Sequence, residues 1–273
     1  MDNNVKNLLN NPNVIIGYLN DINFDDCIVY LAGSLMEGFG NSTSDIDVYV
    51  ICDVFPAMKQ DEEIAQSFLQ SEQTLIRNVI HESIRLDFEY WTWCEFNKAV
   101  NSLNGLNFKT NEYIERISDD EYDLLHRLKF GKPIINFEKF EEVYNSIDFD
   151  NLGHYRVAVE NESYQGLLED LQGAYLSGDY GSAFFLSRLF LDRVMTSYLA
   201  AHGETNPNSK WLYRKALRYQ EKTGDTGLLS KYIELQSQPF ELDTINELVK
   251  ATIKYAQSLN IKSQSTLKNK QTS

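Results

Sequence analysis

The hydrophobic and polar positions of the first 95 residues predict a small sheet with helices. Apolar runs rich in β-branched and aromatic residues predict strands at 26–33, 45–53 and 84–93. The last run alternates strictly, which is typical of a strand with two different faces. A short helix is predicted at 13–21, after Pro12, and a second helix at 61–81, where apolar residues recur three and four positions apart.

Beyond residue 95 the pattern predicts helices and no further strands. Ser118 and Glu121 have the spacing of a capping box, which predicts a helix that ends near 130–134. Apolar spacing predicts the later helices, which start near residue 153 and then cover 182–201, 210–222, 228–235 and 242–259.

These patterns predict an α+β protein with a small mixed-sheet domain followed by an all-helical bundle. The first domain covers 1–150, with its core at 26–92, and the second covers 151–262. The change of pattern alone supports the boundary near 150. The polar end, 263–273, is predicted to be a disordered tail.

Composition and charge narrow the function. The 273 residues carry a formal net charge of −15, which disfavours a long nucleic acid and leaves small molecules and nucleotides as ligands. No apolar run has membrane-spanning length and the N-terminus does not resemble a signal peptide, so we expect no membrane association. Three cysteines without CxxC spacing fit a reducing cytoplasm.

Two aspartates interrupt an otherwise apolar strand. Asp45 and Asp47 are two positions apart, so both side chains leave the same face of the sheet. Asp87 is on the polar side of the strand at 84–93 and could reach the same point. Three converging carboxylates repel one another, and a divalent cation with a preference for oxygen ligands, Mg²⁺ or Mn²⁺, would compensate their charge.

Gly33 and Ser34 follow the first predicted strand and could open a short helix. A glycine allows close approach to the backbone, and the serine offers a hydroxyl next to the N–H groups of a helix start. A phosphate-binding turn next to a carboxylate site suits phosphoryl or nucleotidyl transfer. Glu37 is expected to be a solvated side chain and Ser44 a turn residue.

This stretch resembles the nucleotidyltransferases of the DNA polymerase β superfamily. Their pattern is a strand, a Gly-Ser turn, about ten residues, Asp-apolar-Asp, and a carboxylate on a later strand. The match covers residues 28–91. The resemblance implies that Ser34 contacts the phosphates of a nucleoside triphosphate and that Asp45 and Asp47 hold two Mg²⁺ ions. It also implies a third carboxylate, for which Asp87 is the first choice and Glu89 the reserve.

Basic residues are concentrated in one predicted helix of the acidic chain. Lys210, Arg214 and Arg218 recur every four residues and therefore share a face that could meet an anionic substrate. The alternative is a solvated surface. The helical half resembles the substrate domains fused to nucleotidyltransferases, including HEPN-type bundles. Arg193 and His202 are nine apart, which departs from the HEPN ribonuclease pattern and argues against ribonuclease activity.

The resulting hypothesis is a Mg²⁺-dependent nucleotidyltransferase. It would move a nucleoside monophosphate, AMP from ATP, to a hydroxyl or similar group of a small molecule or protein and release pyrophosphate. The alternative is a catalytically inactive nucleotide-binding regulatory protein of the same fold. A purely structural interaction module leaves the carboxylates unexplained.

Overall fold

The computed structural model describes residues 3–19, 22–57, 65–108 and 113–272. The chain forms two compact units, one of Met1–Asn104 with Ile117–Asp148 and one of Gly105–Arg116 with Phe149–Ser273. The first unit holds a mixed sheet with helices and the second is helical, so the fold is α+β. The boundary expected near 150 falls next to Phe149, whereas the sequence-based division places Gly105–Arg116 in the first domain.

Helices and strands alternate irregularly in the first unit. In chain order they are α1 (Asn3–Asn10), α2 (Asn13–Ile16), β1 (Ile28–Ala32), α3 (Gly33–Met36), β2 (Ile46–Cys52), β3 (Gln66–Gln70), β4 (Thr74–His81), β5 (Ile84–Thr92), α4 (Trp93–Asn104), α5 (Asp119–Lys129), β6 (Lys132–Ile135) and α6 (Phe137–Asn145).

The six strands form one sheet in the order β3-β4-β5-β2-β1-β6. β2 and β5 run parallel, and the other neighbouring pairs are antiparallel. The parallel pair aligns Ile46 with Leu86 and Asp47 with Asp87. Polar residues of β2 and β5 therefore lie side by side on one face of the sheet.

The two faces of the sheet bury different residues. One face places Val48 and Phe88 in the same apolar cluster as Val5 of α1 and Ile15 of α2. The opposite face carries the stacked rings of Tyr30 and Tyr49, whose centroids are 5.3 Å apart. Both faces are thus covered around the middle strands, which explains why the apolar runs of β1 and β2 are nearly continuous.

The helix predicted at 61–81 is wrong for the part that the structure describes. That part forms the strands β3 and β4, joined at Ser71, while 61–64 lie outside the described residues. Leu75 and Val79 are buried on one face of β4, with Arg77 between them. A spacing of four residues satisfies both a helix and a strand, and here the strand neighbours decide the outcome.

The expectation that strands stop after residue 95 is also wrong. The short strand β6 pairs with β1 at the edge of the sheet, and it contains Pro133. A proline is tolerated in an edge strand because one side of the strand needs no partner. The helix before β6 starts as predicted, since Ser118 and Glu121 form both bonds of a capping box.

The second unit contains long helices around their own apolar core. They are α7 (Asp150–Leu176), α8 (Tyr180–Ala201), α9 (Leu212–Thr223), α10 (Thr226–Gln236) and α11 (Ile245–Thr272), with a 3₁₀ turn at Ser209–Trp211.

The prediction of a disordered tail at 263–273 is wrong over the described residues. Helix α11 continues to Thr272, with Ser263 and Leu267 buried. Leu259, Ser263 and Leu267 are spaced as one helix face, and this buried stripe explains why a polar segment stays helical. In the part of the chain that the structure describes, no helix is both long and apolar enough to cross a membrane.

Candidate active site

The parallel pairing of β2 and β5 brings the predicted aspartates together. Asp47 is the register partner of Asp87, so the two Cα atoms are separated by about one strand spacing, ~4.8 Å. Asp45 immediately precedes β2. The three carboxylate side chains are between a fifth and a third exposed, which leaves them accessible at the sheet surface.

Gly33 is fixed by its contact with Asp47. Its φ is +75°, and a Cβ placed on it would lie 1.8 Å from Oδ2 of Asp47 and 2.7 Å from Nη1 of Arg127. Only glycine therefore allows both this backbone conformation and this position of the carboxylate. The Gly-Ser turn and the second aspartate form a single packed unit.

Arg85 connects two of the carboxylates. Its Nη2 atom forms an ion pair with Asp45 and lies 2.8 Å from Oδ2 of Asp87, and its Nε donates to the same oxygen at 3.0 Å. Asn78 of β4 donates to the other oxygen of Asp87 at 2.6 Å. Asp87 is therefore held by two neighbouring residues of the same sheet face.

A second arginine reaches the site from α5. Nη1 of Arg127 lies 3.2 Å from Oδ1 of Asp47, and its Nε donates to Asp123, one helical turn earlier, at 3.1 Å. Its guanidinium lies 6.0 Å from the ring centroid of Tyr49. Arg127 is thus the link between the capped helix and the carboxylates.

The surroundings make two of the aspartates weaker acids. Burial raises the pKa of Asp47 to about 6; Arg127 opposes this shift, and the charges of Asp45 and Asp87 add to it. Burial also raises the pKa of Asp87, against the hydrogen bonds from Asn78 and Arg85. Such shifts are typical of acidic groups in functional sites, although ion-pair networks produce them as well.

Glu89, the reserve third carboxylate, is already engaged deeper in the same face. It accepts hydrogen bonds from the Tyr49 hydroxyl at 2.8 Å and from the Trp91 indole at 2.7 Å. Burial raises the pKa of Glu89, and these two hydrogen bonds act in the opposite direction. Of the two candidates, Asp87 is the one aligned with Asp47.

The turn after β1 differs in part from the expectation. Ser34 is half-buried, and its carbonyl accepts hydrogen bonds from the N–H groups of Phe39 and Gly40, which closes the loop. Glu37 is not the solvated side chain expected from the sequence. It is 7% exposed and lies 3.0 Å from Nε2 of the buried His126 in α5. Ser44 is a turn residue, bonded to the N–H of Asn41.

In the helical unit the basic residues do not form one continuous anion-binding face. Arg218 and Lys222 both pair with Glu204, whose side chain is 1% exposed. Lys210 lies 5.1 Å from the ring centroid of Trp211, and Arg214 is exposed on α9. Arg218 thus compensates a buried charge, while Lys210 and Arg214 are at the surface of this unit.

The carboxylate oxygens around Asp47 are of the type that binds hard divalent cations. In this structure they are not arranged as a metal site. Among the described residues, no three acidic, histidine or cysteine side chains converge closely enough to form one. The four carboxylates at positions 45, 47, 87 and 123 share two guanidinium groups. When all are ionised, this group keeps two negative charges in excess. Carboxylate oxygens and an excess of negative charge are what hard cations such as Mg²⁺ and Mn²⁺ require of a site.

Comparisons with known proteins assign no family to this chain. No protein-family model matches the sequence. No curated protein matches it either. Among solved structures, the chain is similar to a nucleotidyltransferase-like protein from Exiguobacterium sibiricum, with 11% identity and a TM-score of 0.47 over 89% of this chain and 71% of that chain. At this identity and TM-score, the likeness carries no functional information about this chain.

Sequence reasoning gave no role in the site to Asn78, Arg85, Asp123 or Arg127. Arg85 lies on the same polar face of β5 as Asp87. The alternation of polar and apolar residues along this strand could have shown that the two side chains are neighbours. Asp123 and Arg127 are four residues apart on α5, a spacing that indicates an ion pair and does not indicate its proximity to Asp47. The fold alone brings them to the site.

Proposed function

We propose that the first unit is a Mg²⁺-dependent nucleotidyltransferase. The observation that carries the proposal is the alignment of Asp47 with Asp87 on parallel strands, directly against the Gly33 turn. An oxygen of the acceptor attacks the α-phosphorus of a nucleoside triphosphate, ATP in our proposal, and the bond to the pyrophosphate oxygen breaks. The products are the nucleotidylated acceptor and pyrophosphate.

The residues have separate tasks in this proposal. Asp45, Asp47 and Asp87 would hold two Mg²⁺ ions, which would offset the charge of the phosphates. Asp87 takes the proton of the acceptor hydroxyl, the role that the resemblance gives to the third carboxylate. Ser34 contacts the phosphates. Glu89 keeps its structural hydrogen bonds and is the reserve ligand.

Lys210 and Arg214 are proposed to bind anionic groups of a substrate. Both are on the surface of the helical unit and belong to a short basic segment of an acidic chain. We do not assign this role to Arg218, because its side chain forms an ion pair with Glu204 at 2.6 Å. The acceptor in this proposal is a small molecule or a protein side chain.

One observation favours the second candidate, a nucleotide-binding regulatory protein without turnover. Arg85 joins Asp45 to Asp87, and both aspartates are needed for the cation. If this arrangement persists with nucleotide bound, the protein would bind a triphosphate without transferring it. The two candidates therefore differ in pyrophosphate release and agree on nucleotide binding.

The test is to measure thermal stabilisation by Mg²⁺ with each triphosphate, and pyrophosphate release with a panel of hydroxylated small molecules and proteins. An enzyme shows release with one acceptor, and Asp47→Asn abolishes it. Asp53→Asn, an exposed aspartate just after β2, is the matched control and keeps activity. Stabilisation without release across the panel supports the regulatory protein. No stabilisation by any triphosphate contradicts both candidates.

A further inference from the structure

Arg85 occupies the position at which a cation would neutralise Asp45 and Asp87. We propose that cation binding displaces the Arg85 guanidinium, which then binds an oxyanion group of the acceptor in the adjoining cavity. The acceptor class would be a small hydroxylated molecule with a carboxylate or phosphate group. This inference rests on the proposed function, since it assumes that these aspartates bind a divalent cation.

Arg85 and a divalent cation compete for the same oxygens. The guanidinium lies 2.8 Å from Oδ2 of Asp87 and is also paired with Asp45. A cation held by both carboxylates would need these lone pairs, and its charge would repel the guanidinium at a few ångströms. Arg85 is 53% exposed, so its side chain can leave without disturbing the core.

An open surface cavity of about 690 Å³ adjoins Arg85. The described residues that line it are Ala65, Gln66, Ser67, Asn78, Ile80 and Arg85. Arg85 supplies the one charged side chain among them, and the Ser67 hydroxyl is a further polar group. A volume of this order suits a small molecule, and a site with one guanidinium selects an anion.

A second cavity, of about 400 Å³, also includes Arg85, but its lining contains the carboxylates of Asp45 and Glu82. Those charges disfavour an anion there. The displaced guanidinium is therefore assigned to the cavity lined by Asn78 and Ser67. Because cation and oxyanion each favour the displaced position of Arg85, each must tighten the binding of the other.

The experiment measures Mn²⁺ affinity, without nucleotide, by electron paramagnetic resonance of the free ion. Wild type, Arg85→Gln and Arg85→Lys are titrated in sodium sulfate and in sodium chloride of equal ionic strength. Loss of two exposed ion pairs should tighten Mn²⁺ binding in Arg85→Gln by about two- to thirtyfold. Arg85→Lys keeps the charge and should remain closer to wild type.

Sulfate, the probe for an oxyanion, should tighten Mn²⁺ binding about twofold or more in wild type and have no effect in Arg85→Gln. Arg116→Gln is the matched control: Arg116 is 55% exposed and pairs with Glu162, so this variant should behave as wild type in both salts.

Equal Mn²⁺ affinity of wild type and Arg85→Gln would overturn the inference and leave the proposed function standing. A sulfate effect that survives in Arg85→Gln would overturn the assignment of the anion to Arg85. If neither protein binds Mn²⁺, the proposed function fails together with the inference.

Discussion

The contact between Gly33 and Asp47 makes a sharp prediction about Gly33→Ala. The added Cβ would lie 1.8 Å from Oδ2 of Asp47, at a backbone φ of +75°. The left-handed conformation costs an alanine about 1–2 kcal/mol. Moving the carboxylate away also weakens its 3.2 Å ion pair with Arg127, a loss of about 1.5–3 kcal/mol for a charged hydrogen bond. Together these two contributions predict a destabilisation of about 2.5–5 kcal/mol.

Gly38 provides the matched control. Its φ is +78°, and a Cβ there would meet no atom within 4 Å. Gly38→Ala therefore carries the backbone cost alone, and the difference between the two variants, about 2 kcal/mol, isolates the contact with Asp47. Urea unfolding measures both, and hydrogen exchange of peptides from β1 and β2 shows whether the loss is local to the first unit.

A double variant completes the test. Asp47→Ala removes the two atoms that lie closest to the new methyl group and leaves its 2.7 Å approach to Nη1, at the flexible end of Arg127. Gly33→Ala should therefore cost less in that background than in wild type. The reasoning is refuted if Gly33→Ala destabilises no more than Gly38→Ala. It is also refuted if the cost of Gly33→Ala is the same with and without the Asp47 carboxylate.

Three further predictions concern charge and hydrogen bonding. Asp47 has a pKa of about 6, above its ordinary 3.8, so the folded state holds its proton more tightly than the unfolded chain. In the absence of a divalent cation, the protonated Asp47 side chain therefore stabilises the folded state below about pH 4. This contribution to stability is lost as pH rises through 6. Urea unfolding should show that wild type loses on the order of 2 kcal/mol relative to Asp47→Asn over this range. Tyr49→Phe removes a donor to Glu89 and should cost about 1–3 kcal/mol by the same method. Glu204→Gln leaves Arg218 and a lysine without their buried partner and should lower the free energy of unfolding by about 3–5 kcal/mol. Glu234→Gln, which breaks an exposed pair, should cost less than about 1 kcal/mol.

The sequence was informative where one face of a strand is buried and the other is polar. Alternation along β5 placed Asp87 and Glu89 on one side, and the strand register then aligned Asp87 with Asp47. The glycine at position 33 was also informative, because this position has a positive φ and lies directly against a carboxylate. The alternation along β5 is readable from the chain alone, whereas the strand register and the carboxylate next to Gly33 depend on the fold.

The sequence was misleading where a pattern is shared by two structures or where partners come from distant segments. Leu75 and Val79 suit a helix or a strand equally, and pairing with β3 and β5 decides for β4. The approach of Arg127 to Asp47 depends on how α5 packs against the sheet. No spacing within α5 contains that information.

The single parallel pair of the sheet has a consequence for folding. Arg85 and Asp45 are 40 residues apart, and the β3–β4 segment lies between them in the chain. Local hairpins close faster than distant pairs, because the entropy of loop closure grows with separation. We therefore expect β3, β4 and β5 to assemble first and to dock onto β2 as a preformed ribbon. A chain emerging from the ribosome would keep Asp87 apart from Asp45 and Asp47 until the fifth strand is complete.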